Sequence, residues 1–407
     1  MTLPEGWTFQ KLGELCTFQR GLTYGKSDEV ESSANVVLRA NNVDLESHEL
    51  DLSELKYISD DVVIPPTKKV QPGALLLCMA SGSKSHLGKV AFIDEDYGFA
   101  FGGFMGQVSP RRTVDGRYIF YALTSGRYRS FIADLSDGVN INNLKFDDLG
   151  QFPVPVPPLP EQRRIVAILD EAFEAIATAK ANTEKNLANA REVVESYHQS
   201  LFAQVGETAQ ATRLGDIATF RNGVNYTKSS KGQTVKIVGV KDFQSNFLVP
   251  TDSLEDVTLD GPLNPVDAVS EGDILTVRSN GNPELIGRCM LVEDLLAATA
   301  HSGFTIRISV DRSKVFPAYA CHFLRSRNVR RKLIEGGNGV NIKSLNQGML
   351  AEVSLPLPSL RTQREVVQEL ASVSDAAASL YEITQRKSVA LNELKQAVLH
   401  QAFAGAL

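Results

Sequence analysis

The side chains of this 407-residue chain best suited to nucleophilic, redox or metal chemistry are six histidines and four cysteines, and their spacing supports none of it. His48, His86, His198, His301, His322 and His400 form no H-E-x-x-H and no ligand pair around a carboxylate, so they read as satisfied surface or core residues. Cys16, Cys78, Cys289 and Cys321 lie far apart with no C-x-x-C. That excludes a zinc ribbon, a redox dithiol and a disulfide framework, and fits reduced thiols in a cytoplasm. No G-x-S-x-G elbow is present. Residues 21–27, Gly-Leu-Thr-Tyr-Gly-Lys-Ser, approach a phosphate loop but have three residues between the glycines where the motif needs four. The glycine-rich run at 101–106 opens no recognisable βα unit. Asn282-Pro283 is followed by Glu284-Leu285, without the aromatic that an amino-methyltransferase stacks on its flipped base. The expectation is a chain with no catalytic residues and no metal site.

Recognition chemistry is better represented. Arg and Lys read guanine edges, Asn reads adenine, and small Ser/Gly loops let backbone approach phosphates. The first half of the chain offers Arg20, Thr23, Tyr24, Lys26, Arg39, Asn41, Asn42, Ser81, Ser83, Lys84, His86, Asn140, Asn142 and Asn143 as candidate DNA contacts. The second half offers Arg221, Asn225, Tyr226, Lys228, Lys241, Arg278, Asn280, Asn282, Asn341 and Lys343. Ordinary turn chemistry also favours Gly, Asn and Ser, and is the competing explanation. Two basic clusters add to the surface reading: Arg111, Arg112, Arg117, Arg127 and Arg129, then Arg325, Arg327, Arg330, Arg331 and Lys332. A solvated helix face is their plainer explanation.

These loops recur because the chain is one unit of about 200 residues written twice. Residues 12–27 align without gaps on 214–229, sharing Leu, Gly, Thr, Phe, Gly, Tyr, Lys and Ser. Gly103-Phe104 meets Gly303-Phe304, and residues 138–141 (Gly-Val-Asn-Ile) recur at 339–342. Each copy begins with a globular part of short β-rich runs separated by turn signals, which reads as mixed α/β. Each globular part ends in a proline-rich extended stretch, 152–158 and 355–358. A helix of about 40 residues follows, ~60 Å long at ~1.5 Å per residue. Its 3,4 apolar spacing is that of a coiled coil. The stripe runs through Val166, Leu169, Phe173, Ile176, Lys180, Thr183, Leu187, Ala190, Val194, Tyr197 and Leu201, and in the second copy through Leu370, Val373, Ala377, Leu380, Thr384, Lys387, Leu391, Leu394 and Val398. Both stripes turn polar at mid-length, either to define register or because those side chains snorkel at the seam edge. The expected division is 1–158 and 206–358 for the globular parts, 159–205 and 359–407 for the spacer helices. No apolar run approaches the ~20 residues of a membrane helix. A formal charge of -6, with the acidity mainly in the first globular part, points to weak DNA affinity for the chain alone and to partners that supply much of the phosphate grip.

Taken together, the residues resemble the DNA-specificity subunit of type I restriction-modification enzymes, over essentially the whole chain. The sharpest marker is 155–166, Pro-Val-Pro-Pro-Leu-Pro-Glu-Gln-Arg-Arg-Ile-Val, similar to the family's P-P-L-x-E-Q-x-x-I motif at the start of a spacer helix. Supporting it are Leu3-Pro-Glu-Gly-Trp7, Leu38-Arg-Ala-Asn-Asn42, Ser81-Gly-Ser-Lys84 and residues 138–143. The second junction departs, with Arg361-Thr362 in place of Pro-Glu before Gln363. The resemblance implies an α+β fold of two homologous target recognition domains separated by two long antiparallel coiled-coil spacer helices, with a pseudo-twofold internal repeat. Each domain would read one half of a split double-stranded DNA sequence. Two modification subunits that bind S-adenosylmethionine and methylate adenine would dock on it, joined by motor-nuclease restriction subunits, with ATP and Mg also held by partners. The chain would supply no catalysis and work in a prokaryotic cytoplasm, away from membranes. The competing functions are an interaction scaffold whose globular parts bind protein, and a stand-alone methyltransferase, which the absent motifs disfavour. If the helices act as a ruler, lengthening both by one heptad changes the gap between half-sites in a binding-site selection; an unchanged gap refutes it.

Overall fold

Proline decides where each long helix can start. The computed structural model describes residues 3–83, 86–137, 143–244, 246–295, 297–335 and 344–407. In it Pro153–Val156 and Ser354–Pro356 are extended and pair antiparallel with Thr8–Lys11 and Ala211–Arg213. Fixed φ and the missing N–H keep such segments out of a helix and suit them to a two-stranded edge. Helix then runs uninterrupted over Leu159–Thr208 and over Leu360–Ala404. Pro160 sits in the first turn, where its missing N–H removes no helical bond.

The chain folds as two compact units, each taking one globular part and one half of each long helix. The first holds residues 1–183 and 385–407, the second 184–384. In the first unit the helix halves run antiparallel: Lys395 Nζ lies 5.3 Å from the Phe173 ring, and Lys180 Nζ donates to Asn392 Oδ1. The first helix keeps the expected stripe, with Leu169, Ile176, Thr183 and Leu201 buried and the intervening positions half-buried. The second keeps it through Leu370 and Thr384 and then slips by one residue. Lys387 is exposed and Leu394 is 48% exposed, while Ser388, Leu391, Lys395, Leu399 and Ala402 turn inward. The expected seam is therefore corrected at Lys387 and Leu394. A straight helix of 3.6 residues per turn drifts from a strict 3.5 repeat, and one four-residue step restores the facing side chains. Thr183 and Thr384 are buried rather than snorkelling, and Thr183 Oγ1 donates to the Ala179 carbonyl at 2.6 Å.

The globular parts repeat one topology. In the first unit Cys16–Arg20, Met105–Pro110, Leu75–Cys78 and Val90–Phe92 make an antiparallel sheet; in the second the order is Ala218–Asn222, Thr305–Val310, Ile274–Val277, Cys289–Leu291. A smaller sheet adds a parallel pair in each, Asn35–Leu38 with Ala100–Phe101 and Thr234–Val238 with Thr299–His301. Helices Gly116–Ala122 and Pro317–Arg325 cover the larger sheets. Leu75, Leu77, Val108 and Tyr118 pack with Leu169, Leu399 and Phe403 of the long helices. Ile274, Ile306, Ile308 and Tyr319 pack with Leu201, Phe202, Val366 and Leu370.

One buried glutamine ties each helix start to its globular part. Gln162 is 1% exposed; its Oε1 accepts from the Asp115 N–H at 2.8 Å and its Nε2 donates to the Pro157 carbonyl at 2.9 Å. Gln363 is fully buried and accepts from the Phe316 N–H at 2.7 Å, while Nε2 donates to the Lys314 and Pro358 carbonyls, both at 2.9 Å. Alongside, Tyr118 Oη donates to the Pro155 carbonyl at 2.6 Å and Tyr319 Oη to the Pro356 carbonyl at 2.7 Å. The second junction thus keeps the group that holds it together and loses the exposed Pro160 and the half-buried Glu161 that pairs with Arg164 at 2.7 Å. Either Gln162→Ala or Gln363→Ala strands buried backbone groups and should lower unfolding stability by roughly 2–4 kcal/mol in denaturant melts; a loss below about 0.5 kcal/mol contradicts the staple.

Candidate nucleic-acid interface

In each unit a close backbone crossing assembles the polar loops. A Cβ on Gly21 would lie 2.0 Å from the Gly102 carbonyl oxygen, and one on Gly223 2.2 Å from the carbonyl oxygens of His301 and Ser302. Only glycine permits that approach. The crossing is held by Leu22 N–H to Phe101 O at 2.7 Å and by Val224 N–H to His301 O at 2.8 Å. Gly21 therefore serves a chain crossing, not a phosphate cradle. Beyond it, Gly102 N–H donates to the Leu38 carbonyl and Ser302 N–H to that of Val238, which brings in the loops at 39–42 and 239–242. The Phe104 carbonyl accepts from the N–H groups of Met79 and Ala80, and that of Phe304 from Arg278 and Ser279, which brings in the loops at 81–83 and 279–282.

In the second unit the result is a groove of about 550 Å³ lined by Tyr226, Lys241, Glu255, Ser279, Asn280 and Phe304. Lys241 Nζ contacts Glu255 Oε2 at 2.6 Å, an exposed pair. The side-chain oxygens of Asn280 and Asn282 accept from the N–H groups of Asn282 and Glu284, shaping the turn. Each Nδ2 remains a donor without a protein partner among the described residues. In the first unit Tyr24 is surrounded by Arg39, Glu29 and Lys56, with Lys56 Nζ 2.5 Å from Glu29 Oε2. Arg39 Nε is buried without a partner, a donor held ready beside the loop. Partial burial keeps both Tyr24 and Tyr226 above the ordinary phenol range, so each hydroxyl is neutral and able to donate or accept.

Thr23, Lys26, Asn41, Ser83 and His86 are exposed, with Ser81 half-exposed beside them. Arg20 Nη2 donates to Asn143 Oδ1 at 3.0 Å, joining two candidates. Asn225, Lys228 and the half-exposed Arg278 lie on the second set of loops. Lys84, Asn140, Asn142, Asn341 and Lys343 fall outside the described residues. One expectation is corrected outright. Asn42 is 1% exposed, its Oδ1 accepts from the Arg39 N–H at 2.9 Å, and its Nδ2 donates to the carbonyls of Asp51 and Glu54, both at 2.8 Å. Asp242 does the same work in the second copy, accepting from the Gly239 N–H at 2.8 Å. Both are turn locks, not DNA contacts. Arg221 is engaged by Asp267 at 2.5 Å.

Three members of the basic clusters are engaged by the fold, while Arg111, Arg112, Arg129, Arg327, Arg331 and Lys332 are exposed. Arg117 Nη1 pairs with Asp170 at 2.7 Å, Arg325 donates to the carbonyls of Asn246 and Cys289, and Arg330 Nε donates to that of Ile286. Sequence reasoning missed Phe104 and Phe304 as surface groups, though their match between copies was visible. They are 75% and 63% exposed. No described group of three His, Cys, Asp or Glu is placed to hold a metal. Burial holds His48 and His301 down to about 4 and raises all four free, buried cysteine thiols, so none is poised for chemistry. Among the described residues no helix is long and apolar enough to cross a membrane.

Residues 4–188 match the family model for the type I restriction modification DNA specificity domain. The chain is 26% identical to the type I restriction enzyme StySPI specificity subunit of Salmonella potsdam and 25% identical to the EcoKI specificity subunit of Escherichia coli K12. Each alignment spans 100% of this chain and 90% of the relative. A solved chain from work on complex assembly and conformational transition of the type I R-M system superimposes over 100% of both chains with a TM-score of 0.76 at 17% identity. The HsdS subunit from Thermoanaerobacter tengcongensis gives 0.61, also at 17% identity, over 100% of this chain and 99% of that one.

Because Asn42 locks a turn and Asn280 donates outward, their alanine variants should separate. Asn42→Ala is expected to lower stability by about 1–3 kcal/mol, and Asn280→Ala, which gives up only one exposed turn hydrogen bond, by no more than about 0.5 kcal/mol. Equal losses in a thermal melt contradict the assignment.

Proposed function

We propose that this chain, which belongs to the DNA-specificity subunits of type I restriction-modification enzymes, reads a bipartite double-stranded sequence, one half-site with each unit's loop cluster. The observation that carries this reading is a constant frame bearing different heads. The glycine crossing, the turn lock at Asn42 or Asp242 and the carbonyl clamp of Phe104 or Phe304 recur in both units. Around them Asn41 and Ser81 in one copy stand where Lys241 and Asn280 line the other, and Arg39 stands where the other has Gly239. Bidentate and single donors of these types distinguish bases in the major groove, and a shared frame with different donors reads different sequences.

The chain contributes recognition and no bond-making step. Two modification subunits carrying S-adenosylmethionine methylate adenine, and restriction subunits supply ATP- and Mg-dependent cleavage, all in a prokaryotic cytoplasm. The paired long helices form the platform on which these partners dock. A net charge of -6 makes phosphate grip by this chain alone weak, so tight binding belongs to the complex.

With modification subunits present, duplex oligonucleotides carrying the cognate split sequence should be retained at moderate salt over shuffled ones. Lys241→Ala or Asn280→Ala should weaken discrimination at the second half-site by ~1–3 kcal/mol and leave the first unchanged. Absence of any sequence preference favours a protein-binding scaffold instead. Equal loss at both half-sites contradicts one-unit, one-half-site reading.

A further inference from the structure

We infer that Phe104 and Phe304 are specificity-determining residues, each packing its ring against the C5-methyl of a thymine in the half-site read by its own unit. The inference rests on the DNA reading above and names one of its contacts. Phe104 is 75% exposed and Phe304 63%, among the most exposed large apolar side chains of the chain. Each stands between Gly103 or Gly303 and a strand that enters the larger sheet, Met105–Pro110 or Thr305–Val310. Their carbonyls each accept two backbone N–H groups, at 2.9 and 3.1 Å for Phe104 and at 2.8 and 3.4 Å for Phe304. The main chain under each ring is thus pinned while the ring itself packs on little of its own unit.

A scattered exposed phenylalanine needs no explanation. Two at the same place in copies whose surrounding loops differ do need one, because solvent gives no advantage to keeping an apolar ring there. The neighbours decide what covers it. Phe304 shares its groove with the hydrogen-bonding groups of Lys241, Ser279, Asn280 and Tyr226 and with the aliphatic Ile237 and Val240. Such a surface suits a polar partner that displays an isolated apolar group. Duplex DNA is that partner, since thymine's methyl is the one apolar group among the donors and acceptors of the major groove. The groove wall mixes Lys241, Glu255, Ser279 and Asn280 with the apolar Ile237 and Val240, so a wedge that unstacks base pairs is the alternative that the experiment must separate from methyl contact.

The test uses the full chain with its modification subunits and a duplex of the selected sequence. Phe304→Ala should weaken binding about fourfold, the equivalent of one methyl-sized group returned to water, and only at the second half-site. Replacing one thymine of that half-site by uracil should weaken the parent by the same factor and Phe304→Ala no further. Phe104→Ala behaves likewise at the first half-site. Both rings being exposed, melting temperatures stay at the parent value. Independent, multiplying losses from uracil and from Phe304→Ala overturn the inference, as does a half-site indifferent to every thymine-to-uracil change. Raised fluorescence of a 2-aminopurine beside the site in the parent, lost in Phe304→Ala, overturns it in favour of a wedge. If Phe304→Ala has no effect while Asn280→Ala does, the inference fails and the DNA reading stands; if the parent prefers no sequence, the DNA reading itself fails.

Discussion

A buried side-chain amide at the start of each long helix is the contact on which the architecture depends. A glutamine amide buried without partners is expensive in an apolar setting, and each unpaired group costs about 1–3 kcal/mol. Gln162 and Gln363 avoid that by joining three things that must stay in register: the proline-rich strand end, the first helical turn, and the N-terminus of the helix covering the large sheet. Leu, of similar volume, would fill the space and leave the Asp115 or Phe316 N–H unpaired. That requirement explains why glutamine stands at both junctions although their flanking residues differ. It also fixes the direction in which each helix leaves its globular part, so the polar loops inherit their placement relative to that helix from it.

The second constraint is the glycine crossing. Gly21 and Gly223 let two chain segments approach within a distance no side chain tolerates. Once they cross, the carbonyl and N–H groups next to them are committed to inter-segment bonds, and the loops beyond have few conformations left. Sequence can then vary at their tips with little effect on folding. Stability resides in buried backbone bonds and in clusters such as Leu75, Val108 and Tyr118, whereas the side chains with free donors lie on the loops. The same separation accounts for three arginines of the two basic clusters: Arg117 pairs with Asp170, and Arg325 and Arg330 hold carbonyls of the fold.

Much of this was legible in the chain itself. The repeat, the mixed α/β globular parts, the proline stop before each helix and the first helix's apolar stripe are all consequences of local periodicity and of residues with restricted dihedrals, which read the same before and after folding. Legibility failed where tertiary context decides. Asn42 and Asn280 are the same residue type in similar loops, yet one is sealed beneath residues 51–54 and the other lines a groove. The seam slip after Thr384 was hidden because Lys387 and Leu394 fit a strict heptad as well as Ser388 and Lys395 fit the real one. Phe104 and Phe304 were visible as matching residues, but hydrophobicity alone assigns them to a core they do not enter.

Two recognition units on one frame, each reading its own bases, is the central claim, and the methylation pattern of living cells tests it most directly. Genomic DNA from cells expressing this chain with its modification subunits should carry methyladenine in a single split motif. Two short defined half-sites should be separated by a fixed number of unspecified base pairs, with one modified adenine in each half. A contiguous motif, a variable gap, or no motif above background would contradict it.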